Sequence, residues 1–143
     1  MSLPNLDRFR GLLHMRTPDM LREVRSYVER LKIKIGQPSD RITSLSGGNQ
    51  QKVIIGRWLM KNSRLLIMDE PTRGIDVNAK FEIQRELRKL TETAGLSIIF
   101  FSSEIEEVIE VSDRIMVMHN GRVKGIRKAR DATPESLMQL AMS

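Results

Sequence analysis

The sequence predicts an α/β fold in which short, mostly parallel strands are joined and flanked by helices, with a β-hairpin toward the C-terminus. Three observations carry that expectation. Two apolar runs, Leu65–Met68 and Ser97–Phe101, are too short for helices and suit buried strands. Between them, Ile83, Leu87 and Leu90 recur at helical spacing. Asn120-Gly121 separates two further β-rich segments, as a tight hairpin turn would. Strand, helix and strand in that order imply a crossover, which pairs the two strands in parallel. With 143 residues and 40% hydrophobic composition, the chain is of single-domain size and able to bury a core.

Taken in order, Thr17 and Pro18 form an N-cap and first-turn pair, and Leu21, Val24, Val28 and Leu31 follow at spacings of three and four. A helix is therefore expected from Asp19 to Lys34. Gly36, Pro38 and Ser39 mark a linker, and Gly47-Gly48 opens a second helical pattern of Val53, Ile54, Trp58 and Leu59. Leu65–Met68, closed by Asp69 and Glu70, suits a strand buried on both faces. The helix carrying Ile83 ends near Gly95. Ser103 and Glu106 have capping-box spacing for a short helix after the second strand. Ile115–His119 should pair with Val123–Arg127, and Thr133-Pro134-Glu135 opens a last amphipathic helix bearing Leu137, Leu140 and Ala141. Packing is the ordinary account of Trp58 and of most of the nine methionines. There is no internal repeat.

Composition narrows the classes of function. The net charge of +6 permits an anionic partner, but the Lys and Arg are dispersed and interleaved with acids. Only 4% of residues are aromatic and no basic stripe is present, which argues against a nucleic-acid groove. The absence of cysteine excludes a disulfide framework or a Cys-based zinc site. The longest markedly apolar stretch, around Leu96–Phe101, is far below the roughly 18 residues of a membrane span. No secretory signal is visible, and Met1–Leu3 carry no weight.

The chemistry is concentrated in two segments. In Leu45-Ser46-Gly47-Gly48-Asn49-Gln50-Gln51, a glycine pair precedes a helix start. Glycines let the backbone approach an anion, Ser46 offers a hydroxyl, and helix-terminal amides carry partial positive charge. A flexible helix-start turn is the plainer account of that segment taken alone. In Leu65-Leu66-Ile67-Met68-Asp69-Glu70-Pro71-Thr72, two adjacent carboxylates stand at the C-terminal tip of a strand, where open α/β sheets bind ligands. Asp69 can hold Mg²⁺ directly or through water, and Glu70 can polarise a water for attack on a γ-phosphate. Solvated acids at a strand end are the plainer account here.

The order Leu-Ser-Gly-Gly, Leu-Leu-Ile-Met-Asp-Glu-Pro-Thr, Gly-Ile-Asp and Phe-Phe-Ser-Ser-Glu, from about Ile42 through Val123, resembles the ATP-binding-cassette (ABC) ATPases. More narrowly, Gly47–Val53 with Glu70–Val77 resembles the second cassette of fused double-cassette importers of ribose, galactose and xylose. The resemblance implies that Ser46, Gly47, Gly48, Asn49 and Gln50 form a signature contacting ATP held mainly by a facing cassette. It further implies that Asp69 serves Mg²⁺, that Glu70 activates water and that Asp76 is the D-loop aspartate. Asn49 stands where most family signatures have Gln, which fits the sugar-importer branch. Ser103 stands where most cassettes carry a switch histidine, so the site containing Asp69 and Glu70 is expected to be weakened. Neither His14 nor His119 falls at that position.

No Gly-x-x-x-x-Gly-Lys-Ser/Thr segment occurs. The resemblance then implies one partial nucleotide-binding domain, a truncated P-loop NTPase core. About 14–62 would be helical subdomain and signature helix, and 63–143 the C-terminal part of the catalytic core. Alone such a chain should be inactive and self-associate through an unpaired sheet edge. Its parent would be an ATPase using ATP and Mg²⁺, peripheral on the cytoplasmic side of the membrane. Its partners would be transmembrane permease subunits and, indirectly, a sugar-binding protein, with no nucleic acid. A nucleic-acid-associated ABC ATPase and a non-catalytic assembly module are the alternatives.

Overall fold

The computed structural model describes Asp7 and residues 17–143; Met1–Leu3 and His14 lie outside the described residues. The element order is α1 (Thr17–Arg30), α2 (Gly47–Leu59), β1 (Leu65–Asp69), α3 (Val77–Ala94), β2 (Ser97–Phe101), α4 (Ile105–Val111), β3 (Arg114–His119), β4 (Arg122–Lys128) and α5 (Pro134–Met142). Short 3₁₀ turns at Ile42–Ser44 and Ala129–Asp131 precede α2 and α5. The chain forms two compact units. One comprises the residues up to Leu66 with Thr72–Ser97, and the other Ile67–Pro71 with Ile98–Ser143.

The first unit is helical. Within the described residues α1 runs from Thr17, so the threonine is helical rather than the residue ahead of the helix. The helix stops at Arg30, four residues before the expected Lys34, because Lys32 takes a left-handed conformation with φ 50°. Ile33 N then donates to Val28 O at 2.9 Å and Lys32 N to Glu29 O at 3.0 Å, which satisfies carbonyls of the last turn. This stop buries Leu31 and Ile33. Ile55, Met60, Ile83, Leu87 and Leu90 are also buried in this unit, each worth about 1.5–3 kcal/mol of transfer free energy. Tyr27 Oη donates to Leu59 O at 3.2 Å and ties α1 to the end of α2. Asp76 caps α3 by accepting from Ala79 N at 3.0 Å, and Gly95 closes that helix in the left-handed region. Trp58, expected to pack, is 45% exposed, because it lies to one side of the α2 face that carries the buried Gly48, Lys52, Ile55 and Gly56.

β1 pairs with β2. Ser97 N donates to Arg64 O at one end and Glu70 N to Phe101 O at the other, so both strands advance together and the pairing is parallel, as expected. Burial along β1 alternates: Leu66 and Met68 are buried while Leu65 and Ile67 are exposed. The expectation of a strand buried on both faces is thus corrected, since side chains of a two-stranded sheet alternate between faces and only one is covered.

In the second unit β3 and β4 pair antiparallel from Arg114↔Lys128 to His119↔Arg122. Asn120 (φ 49°) and Gly121 (φ 72°) supply the two left-handed residues of the tight turn. Val117 faces Gly125 and Met118 faces Val123, which leaves Lys124 as the extra residue of a bulge. Ile115, Ala129 and Leu137 form the core, with Ile105, Val108 and Ile109 of α4 packed against it. Thr133 and Ser136 make the capping box of α5. Met60 and Met68 are buried as expected, whereas Met116, Met118, Met138 and Met142 are exposed because they lie on outward faces of the hairpin and α5.

Candidate nucleotide site

The glycine segment and the Asp76 turn meet within the first unit. Ser46 is the N-cap residue of α2, yet its side chain does not cap the helix. Instead Asn49 Nδ2 donates to Ser46 Oγ at 2.9 Å, and Asn49 Oδ1 accepts from Lys34 N at 2.9 Å. Asn49 therefore fastens the serine to the segment after α1. Gln50 Nε2 donates to Leu45 O at 2.8 Å and holds the residue before the serine. Its side chain is engaged in shaping the segment from behind.

The two glycines have different roles. A Cβ on Gly48 would stand 2.5 Å from Ala79 Cβ, so absence of a side chain lets α2 approach the first turn of α3. A Cβ on Gly47 would meet nothing within 4 Å. Gly48 thus brings the glycine segment beside Ile75 and Ala79, and Gly47 leaves open space at the helix start. Lys52, only 4% exposed, reinforces the crossing by donating to Glu82 at 2.8 Å. That hydrogen bond and the Lys52 charge, with Lys34 and Arg85 adding to them, hold the Glu82 carboxyl below its ordinary pKa.

In the second unit, Asp69 ends β1 and is exposed, while Glu70 is half-buried in a left-handed conformation with φ 45°. A glutamate in that region is uncommon, costs of order 1–3 kcal/mol and persists only where neighbours fix it. Here Glu70 N donates to Phe101 O at 3.0 Å and Glu70 Oε1 accepts from Ser103 N at 2.9 Å. Two residues that are 33 positions apart are thereby joined. The expected capping of α4 by Ser103 and Glu106 is not found. Glu104 occupies the N-cap, and the hydroxyl that bonds locally is Ser102, donating to Glu107 Oε2 at 2.7 Å and accepting from Glu104 N at 3.1 Å. Ser103 departs from the cap because its amide is turned to Glu70. Sequence reading missed Ser102 and Glu107, whose separation of five matches no capping pattern. The one available signal was an acid inside a helix otherwise apolar toward the core. His119 is exposed at the hairpin end.

Asp69 offers hard carboxylate oxygens at a strand tip, which fits one ligand of a magnesium ion that takes its remaining ligands from phosphate and water. Among the described residues no cluster of three His, Cys, Asp or Glu forms a protein-only cage.

Comparison with known proteins decides the family. Residues 4–73 match the ABC transporter family. The chain is 47% identical to the ribose import ATP-binding protein of Bacillus subtilis (strain 168), across 98% of its own length. It belongs to the ABC transporter family. It is also 46% identical, across 99% of its length, to a ribose import ATP-binding protein of Rubrobacter xylanophilus. With the xylose import ATP-binding protein of Thermoanaerobacter pseudethanolicus it shares 44% identity across 98%. The chain spans 28% of the length of each of these relatives. Among solved structures, the dimeric bacterial ABC transporter cassette MJ0796 superposes with a TM-score of 0.75 at 26% identity, over 90% of this chain and 54% of that one. A post-hydrolysis state of the same cassette, bound to ADP and phosphate, fits equally. The α/β reading is that of an ABC cassette, and nucleotide binding goes with the family. No helix among the described residues is long and apolar enough to cross a membrane.

Proposed function

We propose that these residues act as part of an ABC importer ATPase that couples ATP hydrolysis to uptake of a small sugar. The observation that carries the reading is Glu70, held at a strand tip in a left-handed conformation with its carboxylate on the Ser103 amide. A carboxylate fixed there can accept a hydrogen bond from water and orient it toward a γ-phosphorus. Asp69 would hold Mg²⁺, which when bound neutralises phosphate charge. Ser46, Gly47 and Gly48, with Asn49 and Gln50 shaping the segment, would meet the phosphate of a nucleotide bound mainly by a facing cassette. Asp76 would link the two sites, beyond its role as the cap of α3. In this reading residues 14–62 serve as helical subdomain and signature helix, and 63–143 as catalytic core. The names of the relatives support the sugar, and the dimeric neighbour supports the facing cassette. Permease subunits, a sugar-binding protein and a peripheral position on the cytoplasmic side of the membrane complete the proposal.

The test is a chimera in which this sequence replaces the corresponding segment of the B. subtilis ribose import ATP-binding protein, 47% identical to it. Ribose uptake and ATPase activity should be retained, and Glu70→Gln should lower turnover by about 10²-fold or more, as loss of an acid–base group does. A chimera that assembles with its permease yet neither hydrolyses ATP nor transports would refute the reading.

A further inference from the structure

We propose that Ser102 and Glu107 form a latch that positions Glu70; this rests on the reading of Glu70 as the water-orienting acid. The hydroxyl of Ser102 makes two bonds, donating to Glu107 Oε2 at 2.7 Å and accepting from Glu104 N at 3.1 Å. Glu107 is 2% exposed on α4, so packing fixes where its carboxylate lies. At 2.7 Å the bond has the ordinary length of a well-made O–H···O hydrogen bond. One end of the turn is therefore anchored to the helix interior. The other end is anchored at Phe101, whose carbonyl accepts from Glu70 N.

Only the peptide unit leading into Ser103 remains between those anchors, and its N–H is directed at Glu70 Oε1 at 2.9 Å. Without the Ser102 bonds the turn could rotate and direct that N–H elsewhere. Glu70 would then lose a donor from its carboxylate and part of what holds its left-handed backbone. All of these residues belong to one compact unit. Ser102 and Glu107 touch no reacting atom in this scheme; they are positioning residues acting through the main chain.

The experiment joins a structural and a kinetic reading. In the ¹⁵N-labelled chain, Ser102→Ala should shift the Ser103 amide proton upfield and speed its exchange about tenfold, while Ser102→Thr leaves both unchanged. In the chimera, Ser102→Ala should lower kcat about tenfold with KM for Mg-ATP unchanged, as displacement of an oriented group does, and Ser102→Thr should restore it. Glu107→Gln keeps an acceptor in place and should stay near wild type. Ser102→Cys, similar in size but a weak donor, gives the same comparison should the alanine variant not fold. An unchanged Ser103 amide in the folded Ala or Cys variant overturns the latch. So does full kcat in that variant while Glu70→Gln is inactive. Full kcat in Glu70→Gln instead removes the catalytic reading of Glu70, and the positioning role with it.

Discussion

Replacing Gly48 with alanine should weaken the first unit by an amount that the structure sets. The added carbon would stand 2.5 Å from Ala79 Cβ, against about 3.5–4.0 Å for an ordinary carbon contact. Either helix must therefore shift by roughly 1 Å where α2 meets α3. Overpacking of that kind costs about 1–3 kcal/mol, while alanine for glycine within a helix returns about 1 kcal/mol. A net loss of up to about 2 kcal/mol is expected. Ala79→Gly removes the opposing carbon and leaves the nearest remaining contact at 3.6 Å, from Ile75. The pair should thus couple by about 1–2 kcal/mol in a double-mutant cycle. Gly47→Ala is the control: with nothing within 4 Å, it should unfold within about 0.5 kcal/mol of wild type. It should still impair ATP turnover in the chimera if phosphate approaches that amide. The assay is urea unfolding followed by Trp58 fluorescence, since the single tryptophan lies on α2 itself. Simple additivity with Ala79→Gly would refute the packing argument.

Three further outcomes can be measured on the same chain. Glu82 titrates below 4.5 because Lys52 bonds it, so its stabilisation is complete at neutral pH and drains away as pH falls through that lowered pKa. The stability of the first unit should be flat from neutral pH down to about pH 5 and then fall; Glu82→Gln should lower the neutral stability by about 1 kcal/mol and flatten the fall, a modest figure because the carboxylate side chain is 47% exposed. Equal acid profiles for the two proteins would count against the pair. Thr133→Ala opens the capping box and should cost about 1 kcal/mol, read as faster amide exchange in α5; unchanged exchange would remove the cap from the account. Ile67 (63%), Ile99 (44%) and Phe101 (48%) expose apolar surface on β1 and β2, so the chain should self-associate with rising concentration in sedimentation, and Ile99→Lys should suppress it; a monomer throughout would sink that expectation.

Local signals made much of the fold legible. The Asn-Gly turn, the Thr133-Pro134 start, the Asp76 cap and the glycine stop at Gly95 each act through one or two residues, and each lies where its chemistry requires. The parallel pairing of β1 and β2 followed from connectivity alone. What could not be read depended on contacts between segments. Lys32 takes a left-handed turn with no glycine to announce it, because Leu31 and Ile33 are buried by that turn. Gly48 looked like a phosphate glycine, and its contact with Ala79, 31 positions on, is invisible in a linear reading. The Ser103–Glu106 spacing was a true capping pattern that lost to a neighbour: the hydroxyl of Ser102 found a buried acceptor in Glu107, and the Ser103 amide was taken by Glu70.

That exchange bears on how a serine at position 103 affects the site. The resemblance to cassettes with a switch histidine there suggests a weakened site, on the ground that a serine side chain cannot replace an imidazole. In the structure, however, position 103 reaches Glu70 through its backbone N–H, at 2.9 Å. Any residue but proline supplies that donor. Ser103→Ala should therefore leave turnover of the chimera within about threefold of the parent, since no side-chain bond to Glu70 is lost. Ser103→Pro removes the N–H and should lower kcat by about 10²-fold, as loss of a fixed donor at a reacting group does. The measurement is steady-state ATPase in the chimera, with circular dichroism to establish that each variant is folded. A Ser103→Ala protein as inactive as Glu70→Gln would mean that the hydroxyl, and not the main chain, makes the contact that matters.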